Sequence, residues 1–415
     1  MLKQTVSTGV LLCTLLLGGC GGSDNKIGGT EPGNNGQTPT PQPAEPGQNA
    51  LNRLLILNDD NERPELSLFD LDEHVFIDRV QLAAVPSALY SSPQYRYGVI
   101  LDRVNGQVSF YDAGPLAQSG QAGSKPQLLS YHWSGAAPTH YRVFNGQAAI
   151  FYDGNAAQTA SFAVFKDLDI ASNWAARQNL PYQHHGVAEP RGDYVLSSYM
   201  TQGEEKLSVV KSYGQHGDHY HVSQTLQNSC PGLHGAASIQ HHTAFGCEDG
   251  VLLVEQQGSQ FIDLKLPTAQ RISTVIGHDN AKVLVGLNSA SSDLYIVDPS
   301  KAEVQRLAWA AAGIQRIAQS FSSSGKYFVI LDSLGRLNIL DAQTWELKHQ
   351  DQLFEANAPA LKKAQLVNHG SQELLYINDV QGYRVIEVNL DNGNIRYINL
   401  SDTVPEKIIW LGTPS

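Results

Sequence analysis

Histidines are concentrated in one part of the chain, at spacings that could let their side chains bind a metal ion. Residues 216–247 read HGDHYHVSQTLQNSCPGLHGAASIQHHTAFGC and contain six of the 14 histidines, and His184 and His185 lie a short way upstream. Histidine is the commonest metal ligand and also titrates near neutral pH. The chemistry to consider is therefore a metal site, an acid–base site, or a surface cluster without chemistry.

The start of this segment, HGDHYH, has its own candidate ligands in His216, Asp218, His219 and His221. On an extended strand His219 and His221 share one face, whereas a flexible loop could wrap all four side chains around one ion. We predict an exposed loop with weak or transient metal affinity, which could serve as a mobile delivery site. A solvated loop without metal is the alternative.

The N-terminus has the features of a bacterial lipoprotein leader. Residues 10–17 form a short apolar run, and the Leu-Gly-Gly-Cys sequence that ends at Cys20 resembles a lipobox. We predict a signal peptide over residues 1–19, then a lipidated Cys20 and a disordered Gly/Pro/Asn-rich tether over residues 20–49. These features predict a periplasmic, membrane-anchored lipoprotein. An ordinary signal peptide is the alternative, and the run is shorter than the roughly 18 residues of a membrane span.

Cys230 and Cys247 are the cysteines left once Cys13 is assigned to the signal peptide and Cys20 to the lipid. An even pair in an exported chain most simply forms one disulfide. Closing a loop of this size stabilises a fold by roughly 3 kcal/mol in the chain-entropy model. Two thiolate metal ligands are the alternative, which an oxidising periplasm disfavours.

Short apolar runs that mostly end in Asp, Asn or Glu recur through residues 50–415, about 40 to 50 residues apart, the period of propeller blades. The eight copies are RLLILNDD, YGVILDRV, QAAIFYDG, DYVLSSYM, HTAFGCED, AKVLVGLN, KYFVILDS and ELLYINDV. A short strand precedes each of the last seven, and PEKIIWLG near the C-terminus supplies the one that the first copy lacks. We predict an all-β domain over residues 50–415, an eight-bladed β-propeller closed by pairing of its N- and C-terminal strands, since closure removes an exposed sheet edge. Seven blades are the alternative.

The repeat register brings three histidines to one place. The first strand of each blade begins at one face of a propeller and the second strand ends there, so both points border the mouth of the central channel. His140, His185 and His234 occupy the first of these points in three consecutive copies. Acidic residues occupy the second point, at Asp102, Asp153 and Glu248 or Asp249. Three imidazoles and a carboxylate such as Asp102 suit Zn²⁺. Histidines that only hydrogen-bond between blades are the alternative, and either His184 or His185 could face the channel.

The composition and the absence of several sequence motifs argue against some classes of function. A net charge of -12 argues against nucleic acid as a partner, because a phosphate-binding surface needs a basic stripe. The sequence has no Gly-x-Ser-x-Gly elbow, no phosphate-binding Gly-Lys-Ser/Thr loop and no His-Glu-x-x-His helix. We therefore predict a protein that is not an enzyme.

The chain resembles the AztD family of bacterial periplasmic zinc metallochaperones. The resemblance lies in VILDRVNGQVSFYDAG, PTHYRVFNGQAAIFYDG, HHGVAEP, CPGLHGAAS and AFGCEDGVLLVE. It implies a β-propeller whose candidate zinc ligands are Asp102, His140, His185 and His234, with a structural disulfide between Cys230 and Cys247. The chain departs from the family in its lipobox and tether, and in the closing segment Pro405-Glu406-Lys407, which has no histidine.

The resemblance also implies a function. We expect a protein that binds Zn²⁺ and delivers it to the solute-binding protein of an ABC-type zinc importer, acting as a monomer attached to the membrane through Cys20. A metal-dependent propeller hydrolase or lactonase, or a metal-free interaction scaffold, is the alternative.

Overall fold

The computed structural model describes residues 51–59, 63–114 and 124–413. The predicted signal peptide, the lipid on Cys20 and the tether up to residue 49 lie outside these residues. Within the described ranges no helix is long and apolar enough to cross a membrane.

Nearly all regular structure is β, arranged as successive four-stranded antiparallel meanders. The strands of the first half are β1 Asn52–Asn58, β2 Glu65–Asp70, β3 Val75–Gln81, β4 Ala88–Ser91, β5 Tyr97–Asp102, β6 Gln107–Asp112, β7 Gln127–Ser134, β8 Pro138–Phe144, β9 Gln147–Tyr152, β10 Ser161–Phe165, β11 Ala176–Asn179, β12 Ala188–Arg191, β13 Tyr194–Tyr199, β14 Val209–His216 and β15 His219–Thr225. A short helix, α1 Asp167–Ala171, connects β10 to β11.

The second half continues the same pattern. Its strands are β16 Ala236–Ile239, β17 His242–Cys247, β18 Gly250–Gln257, β19 Gln260–Pro267, β20 Thr274–Ile276, β21 Leu284–Leu287, β22 Leu294–Asp298, β23 Glu303–Leu307, β24 Arg316–Phe321, β25 Tyr327–Asp332, β26 Arg336–Asp341, β27 Leu347–Gln352, β28 Leu366–Asn368, β29 Leu374–Asp379, β30 Arg384–Asn389, β31 Ile395–Asn399 and β32 Lys407–Gly412. A 3-10 helix, Pro359–Lys363, precedes β28.

The sequence of each strand matches its place in the meander. Second strands such as β25, with the sequence YFVILD, are buried along their whole length, because neighbouring meanders cover both faces. Outer strands such as β3 and β19 alternate between exposed and more buried positions, as expected for a sheet edge with one wet face.

The two ends of the chain close the ring. β32 pairs antiparallel with β1, setting Trp410 opposite Leu54 and Ile408 opposite Ile56. Trp410 is fully buried, and its indole N–H donates to the side chain of Asn52 at 2.9 Å. The predicted closure by the terminal strands is therefore confirmed, and so is the propeller fold.

The grouping into meanders does not by itself establish the number of blades. β8–β11 and β12–β15 are two meanders that join into one eight-stranded sheet, through a parallel bridge that pairs Arg177 of β11 with His219 of β15. Eight blades therefore stays a prediction, although the strands fall into the eight predicted groups.

The cysteines form the predicted disulfide. Cys230 and Cys247 are bonded, fully buried, and their Cα atoms are 5.0 Å apart. The bond ties the segment that leads into β16 to the end of β17. Neither sulfur is available as a thiolate ligand, so that alternative is wrong.

Candidate metal centre

Three histidines converge where the first strands of three consecutive meanders begin. His140 lies near the start of β8, His185 three residues before β12, and His234 two residues before β16. Their ring centres are 4.7 Å apart for His140 and His185, 5.3 Å for His185 and His234, and 5.9 Å for His140 and His234. We call these residues the channel cluster, and its position is the one that the strand register predicts.

The dimensions of the channel cluster are close to those of a zinc site. Two nitrogens bound to one tetrahedral Zn²⁺ at about 2.0–2.1 Å lie about 3.3 Å apart, and their ring centres about 5 Å apart. The Nε2 atoms of His140 and His185 are 3.1 Å apart. His234 is the outlying ring, so bringing all three imidazoles onto one ion requires a ring to turn inward.

Contacts behind the rings fix their orientation. His185 Nδ1 lies 2.9 Å from a carboxylate oxygen of Asp153, and His234 Nδ1 lies 3.0 Å from the carbonyl oxygen of Ser273. Arg103 donates to the same Asp153 oxygen at 2.8 Å. These acceptors keep a proton on each Nδ1, so that Nε2 offers its lone pair to the centre, as is usual for metal-ligating histidines.

The local electrostatics favour the unprotonated imidazoles that Zn²⁺ needs. Burial lowers the pKa of His140 to about 3, with further lowering by Arg142 and by the neighbouring histidines. Burial also lowers the pKa of His234. Burial alone would raise the pKa of Asp153, but hydrogen bonds from His185 and Arg103 bring it below its usual value. Neutral rings at His140 and His234 and an ionised Asp153 are protonation states that favour zinc binding.

The channel cluster opens towards the mouth. Arg142 follows His140 by two positions on β8 and therefore points to the same side of the strand. Its guanidinium lies 3.2 Å from the carboxylate of Glu189, whose side chain is 1 % exposed, and this ion pair lies further along the channel. The side chain of His185 is 44 % exposed. His185 is thus the ring through which solvent reaches the cluster.

The contacts of Asp102 lie within its own turn, and its role as a zinc ligand stays a prediction. Its carboxylate accepts hydrogen bonds from the backbone and side-chain N–H groups of Asn105, at 2.9 and 2.6 Å, in the turn between β5 and β6. An Asp at the start of a turn commonly makes this bond. Asp153 is the carboxylate at the cluster instead, and it contacts His185 rather than the position of an ion.

His184 is directed into the core. It is 7 % exposed, its Nδ1 lies 3.0 Å from the carbonyl oxygen of Tyr182, and its Nε2 lies 3.4 Å from the hydroxyl of Ser198. Both ring nitrogens therefore have partners away from the channel cluster. Of the two adjacent histidines, the structure places His185 at the mouth.

A second group of histidines lies on the hairpin formed by β14 and β15. His216, His219 and His221 form this hairpin cluster, and all three are exposed. The Nε2 atoms of His219 and His221 are 3.2 Å apart. Among the described residues, this is the group of three whose ligand atoms all lie within 4.8 Å of one another.

The hairpin cluster lies on two paired strands rather than on a loop, while the exposure of its histidines is as predicted. A two-residue turn joins the strands, with Gly217 at a φ of 64°, a conformation that glycine adopts without strain. Asp218, the other turn residue, accepts a hydrogen bond from His219 Nδ1 at 3.0 Å and so supports a ring. Tyr220 points to the opposite side and is buried against Phe162.

The two clusters lie on opposite faces of the fold. Strand direction alternates within a meander, so the turn between β14 and β15 is at the far end from the start of β12. The backbone N–H of Gln215 donates to Asp193, in the turn that follows β12, at 2.8 Å. Strand rise and spacing put His185 and His221 roughly 20 Å apart. Delivery from a mobile loop beside the channel cluster does not fit this placement.

The structure is similar to solved propellers. Two structures of AztD from Citrobacter koseri, one of them apo, superpose with TM-scores of 0.72 and 0.71, cover 88 % of this chain, and are covered over 100 % and 98 % of their own length. The fold is that of AztD. Sequence identity to both AztD structures is 19 %. Sqt1 of Saccharomyces cerevisiae is similar over 88 % of this chain and all of its own, with a TM-score of 0.53 and 11 % identity. No protein-family model and no curated protein matches the sequence.

The sequence does not reveal which residues support the histidines from behind. Asp153 stands at the predicted mouth, but nothing in its own strand distinguishes it from Asp102. A signal exists in the repeat, because Asp153 ends the second strand of the copy that begins with His140, whereas Asp102 belongs to the copy before. The carbonyl of Ser273 carries no side-chain signal at all.

Proposed function

We propose that this chain is a periplasmic zinc metallochaperone of the AztD family, which binds Zn²⁺ at the channel cluster and delivers it to the solute-binding protein of an ABC-type zinc importer. The observation that supports this most strongly is the convergence of His140, His185 and His234 at one mouth of an AztD fold, with two rings oriented from behind. Zn²⁺ is the cargo, and the chain itself is not an enzyme.

Three imidazoles leave one position of a tetrahedral ion unfilled by protein. That position faces the solvent side of His185, because the Arg142–Glu189 ion pair lies on the other side. An acceptor that docks at the mouth can place its own ligand there and then replace the imidazoles one by one. Such stepwise exchange never releases a free ion, which suits transfer between proteins.

Elemental analysis of the purified full chain tests the site. After dialysis against Zn²⁺ and removal of the excess, His140→Ala/His185→Ala/His234→Ala is expected to retain one equivalent fewer than wild type. His132→Ala, which removes one exposed histidine outside both clusters, is the matched control. Unchanged zinc content in the triple variant would remove the channel cluster from the proposal.

A transfer assay tests the delivery step. The zinc-loaded chain is mixed with the apo solute-binding protein in the presence of a chelator that takes up free Zn²⁺. Transfer that the chelator does not intercept is expected for wild type. Transfer that the chelator abolishes would mean release followed by recapture, and delivery would then be wrong even if the site is right.

The same open position favours one second candidate, a zinc-dependent hydrolase or lactonase. Catalytic zinc sites have three protein ligands and a water whose pKa the ion lowers to about 7. Turnover of lactones or esters by the zinc-loaded protein, lost in the triple variant, would support this reading over delivery.

A further inference from the structure

We propose that Arg142 sets the zinc affinity of the channel cluster, because its guanidinium repels the bound ion from the channel side and Glu189 offsets only part of that repulsion. This inference rests on the proposed function, since it concerns the same ion. It adds two residues that act on the ion through their charge and not as ligands.

Arg142 and Glu189 belong to a second layer of polar side chains along the channel. Each of the first strands at the channel cluster supplies one residue of this layer, two or four positions beyond its histidine. These residues are Arg142 on β8, Glu189 on β12 and Ser238 on β16. All three line a cavity of about 600 Å³, which is also lined by Gly146 and His278 in the turns at the far ends of β8 and β20. The layer therefore lies between the imidazoles and a cavity on the face opposite the mouth.

The ion pair in this layer is loosely made. Arg142 Nε and Glu189 Oε1 are 3.2 Å apart, but among the described residues neither atom has a hydrogen-bond partner, so charge alone holds them together. The other carboxylate oxygen accepts a hydrogen bond from the hydroxyl of Ser238 at 3.0 Å. The side chain of Arg142 is 26 % exposed and that of Glu189 is 1 % exposed. The carboxylate is thus enclosed, while the guanidinium still faces the channel.

The positive charge of Arg142 reaches the imidazoles. Burial is the largest cause of the lowered pKa of His140 and of His234, and the charge of Arg142 lowers both further. A charge that disfavours a proton on a ring disfavours Zn²⁺ beside that ring more strongly, because the ion carries two charges. Positions two apart on a strand are about 7 Å apart. At that distance, even with the dielectric constant of water, one positive charge lowers the affinity for Zn²⁺ by about 10-fold.

This repulsion suits a protein that has to give its ion away. A tetrahedral site with three imidazoles can be weakened by removing a ligand, which also loses selectivity, or by a nearby fixed charge, which leaves the ligands intact. Arg142 is held by the channel wall and not by the ion, so its charge acts throughout a stepwise exchange. The layer therefore favours release towards the mouth.

Zinc affinities of charge variants test this inference. Each full-length protein carries His219→Ala/His221→Ala, so that the hairpin cluster cannot compete, and is titrated with Zn²⁺ against a chelator. The titration is done at pH 8, because burial raises the pKa of Glu189. Relative to this parent, Arg142→Gln is expected to bind Zn²⁺ about 10-fold more tightly and Glu189→Gln roughly 3- to 10-fold less tightly.

The double variant Arg142→Gln/Glu189→Gln removes equal and opposite charges. Its zinc affinity should therefore lie within about 3-fold of the parent's. Neither this variant nor Glu189→Gln leaves a buried carboxylate without its ion-pair partner, so both remain informative if Arg142→Gln does not fold. A loss of affinity in the double variant as large as that in Glu189→Gln would overturn the inference.

Arg336→Gln and Asp332→Asn are the matched controls. Arg336 and Asp332 form another enclosed ion pair, with side chains 25 % and 0 % exposed, in a meander that supplies no histidine to the channel cluster. These variants are expected to lower Tm as the Arg142 and Glu189 variants do, but to leave zinc affinity unchanged. Equal changes of zinc affinity in both ion pairs would show that only packing is disturbed, and the role of Arg142 would be wrong.

The charge of the ion provides an independent readout. Coulomb repulsion is proportional to the charge of the ion, so the logarithm of the gain in Arg142→Gln should be half as large for monovalent Ag⁺, which imidazoles also bind, as for Zn²⁺. Chloride-free buffer keeps Ag⁺ in solution. Equal gains for the two ions would mean that ligand geometry has changed, which contradicts an effect of charge.

The outcomes separate the two proposals. The channel triple variant, His140→Ala/His185→Ala/His234→Ala, is measured in the same background. If it loses the zinc while Arg142→Gln and Glu189→Gln bind as the parent does, the proposed function stands and the role of Arg142 is wrong. If it retains the zinc, both proposals are wrong.

Discussion

The channel cluster and the hairpin cluster each consist of three histidines, but the fold positions and supports them in different ways. The channel rings are spread over three meanders, partly buried, and oriented by Asp153 and Ser273, yet one of them has to turn inward to bind. The hairpin rings come from six consecutive residues of one meander, are fully set by strand register, and are exposed.

This difference teaches that ligand spacing and ligand support are separate properties. Local pairing across a two-residue turn is enough to bring three imidazoles together, whereas burial and hydrogen-bonded support require the tertiary fold. Supported ligands bind more tightly, because partners behind a ligating histidine hold its tautomer and ring orientation. We therefore expect the channel cluster to have the higher zinc affinity and the hairpin cluster the faster exchange.

Among the changes that test this comparison, removal of the disulfide is expected to have the largest effect. Cys230→Ser/Cys247→Ser should lower the free energy of unfolding by roughly 3 kcal/mol, since the loop between the two positions is no longer closed. Urea denaturation in the presence of a chelator measures the loss. Because Cys230 precedes His234 in the same connection, zinc affinity at the channel cluster should fall while that of the hairpin cluster stays unchanged. An equal loss at both clusters would point to global destabilisation instead.

Weakening the carboxylate of Asp153 is expected to have the next largest effect, on zinc affinity at the channel cluster. Asp153→Asn keeps the shape but weakens the acceptor behind His185, and changes of this kind cost about 10- to 100-fold in metal affinity. A competition titration with a zinc chelator measures it. Asp112→Asn is the matched control, because Asp112 has the same 7 % exposed carboxylate and the same 2.8 Å contact, with Arg96, but no histidine. Equal losses in both variants would show that only an ion pair has been disturbed.

The lowered pKa of His140 predicts a loss of stability in acid. Its pKa falls from 6.5 to about 3 on folding, so the unfolded chain binds more protons between these values and the free energy of unfolding drops as pH falls through that window. Allowing for the partial exposure of the ring, we expect a loss of roughly 1–2 kcal/mol between neutral pH and about pH 5. Denaturation of the zinc-free protein should show this loss in wild type and in His349→Gln, and less of it in His140→Gln. Identical pH profiles in all three would contradict it.

The sequence repeat predicts both the fold and the positions of the three channel histidines. Both depend on whether a residue lies at the start or at the end of a given strand in its copy of the repeat. The repeat does not predict that His185 rather than His184 joins the cluster, or that Asp153 rather than Asp102 contacts it. Both choices depend on side-chain direction within a connection, which strand register does not set. The sequence does not predict the ordered hairpin around Gly217 for a related reason. Exposed polar residues around Gly217 have the composition of a flexible loop, while the buried Tyr220 that anchors the strand is a single residue among them.

Asp218→Asn should have the smallest effect and so tests the comparison most finely. Asp218 makes the same kind of contact with His219 that Asp153 makes with His185, at 3.0 and 2.9 Å, but its side chain is 79 % exposed rather than 7 %. In water the bond competes with solvent and orients the ring weakly, so we expect a loss of zinc affinity below the roughly 10-fold lower limit of buried partners. The channel triple variant isolates the hairpin cluster for this titration. A loss as large as that of Asp153→Asn would show that the turn carboxylate binds the ion itself, and the hairpin cluster would then have four protein ligands and no open position.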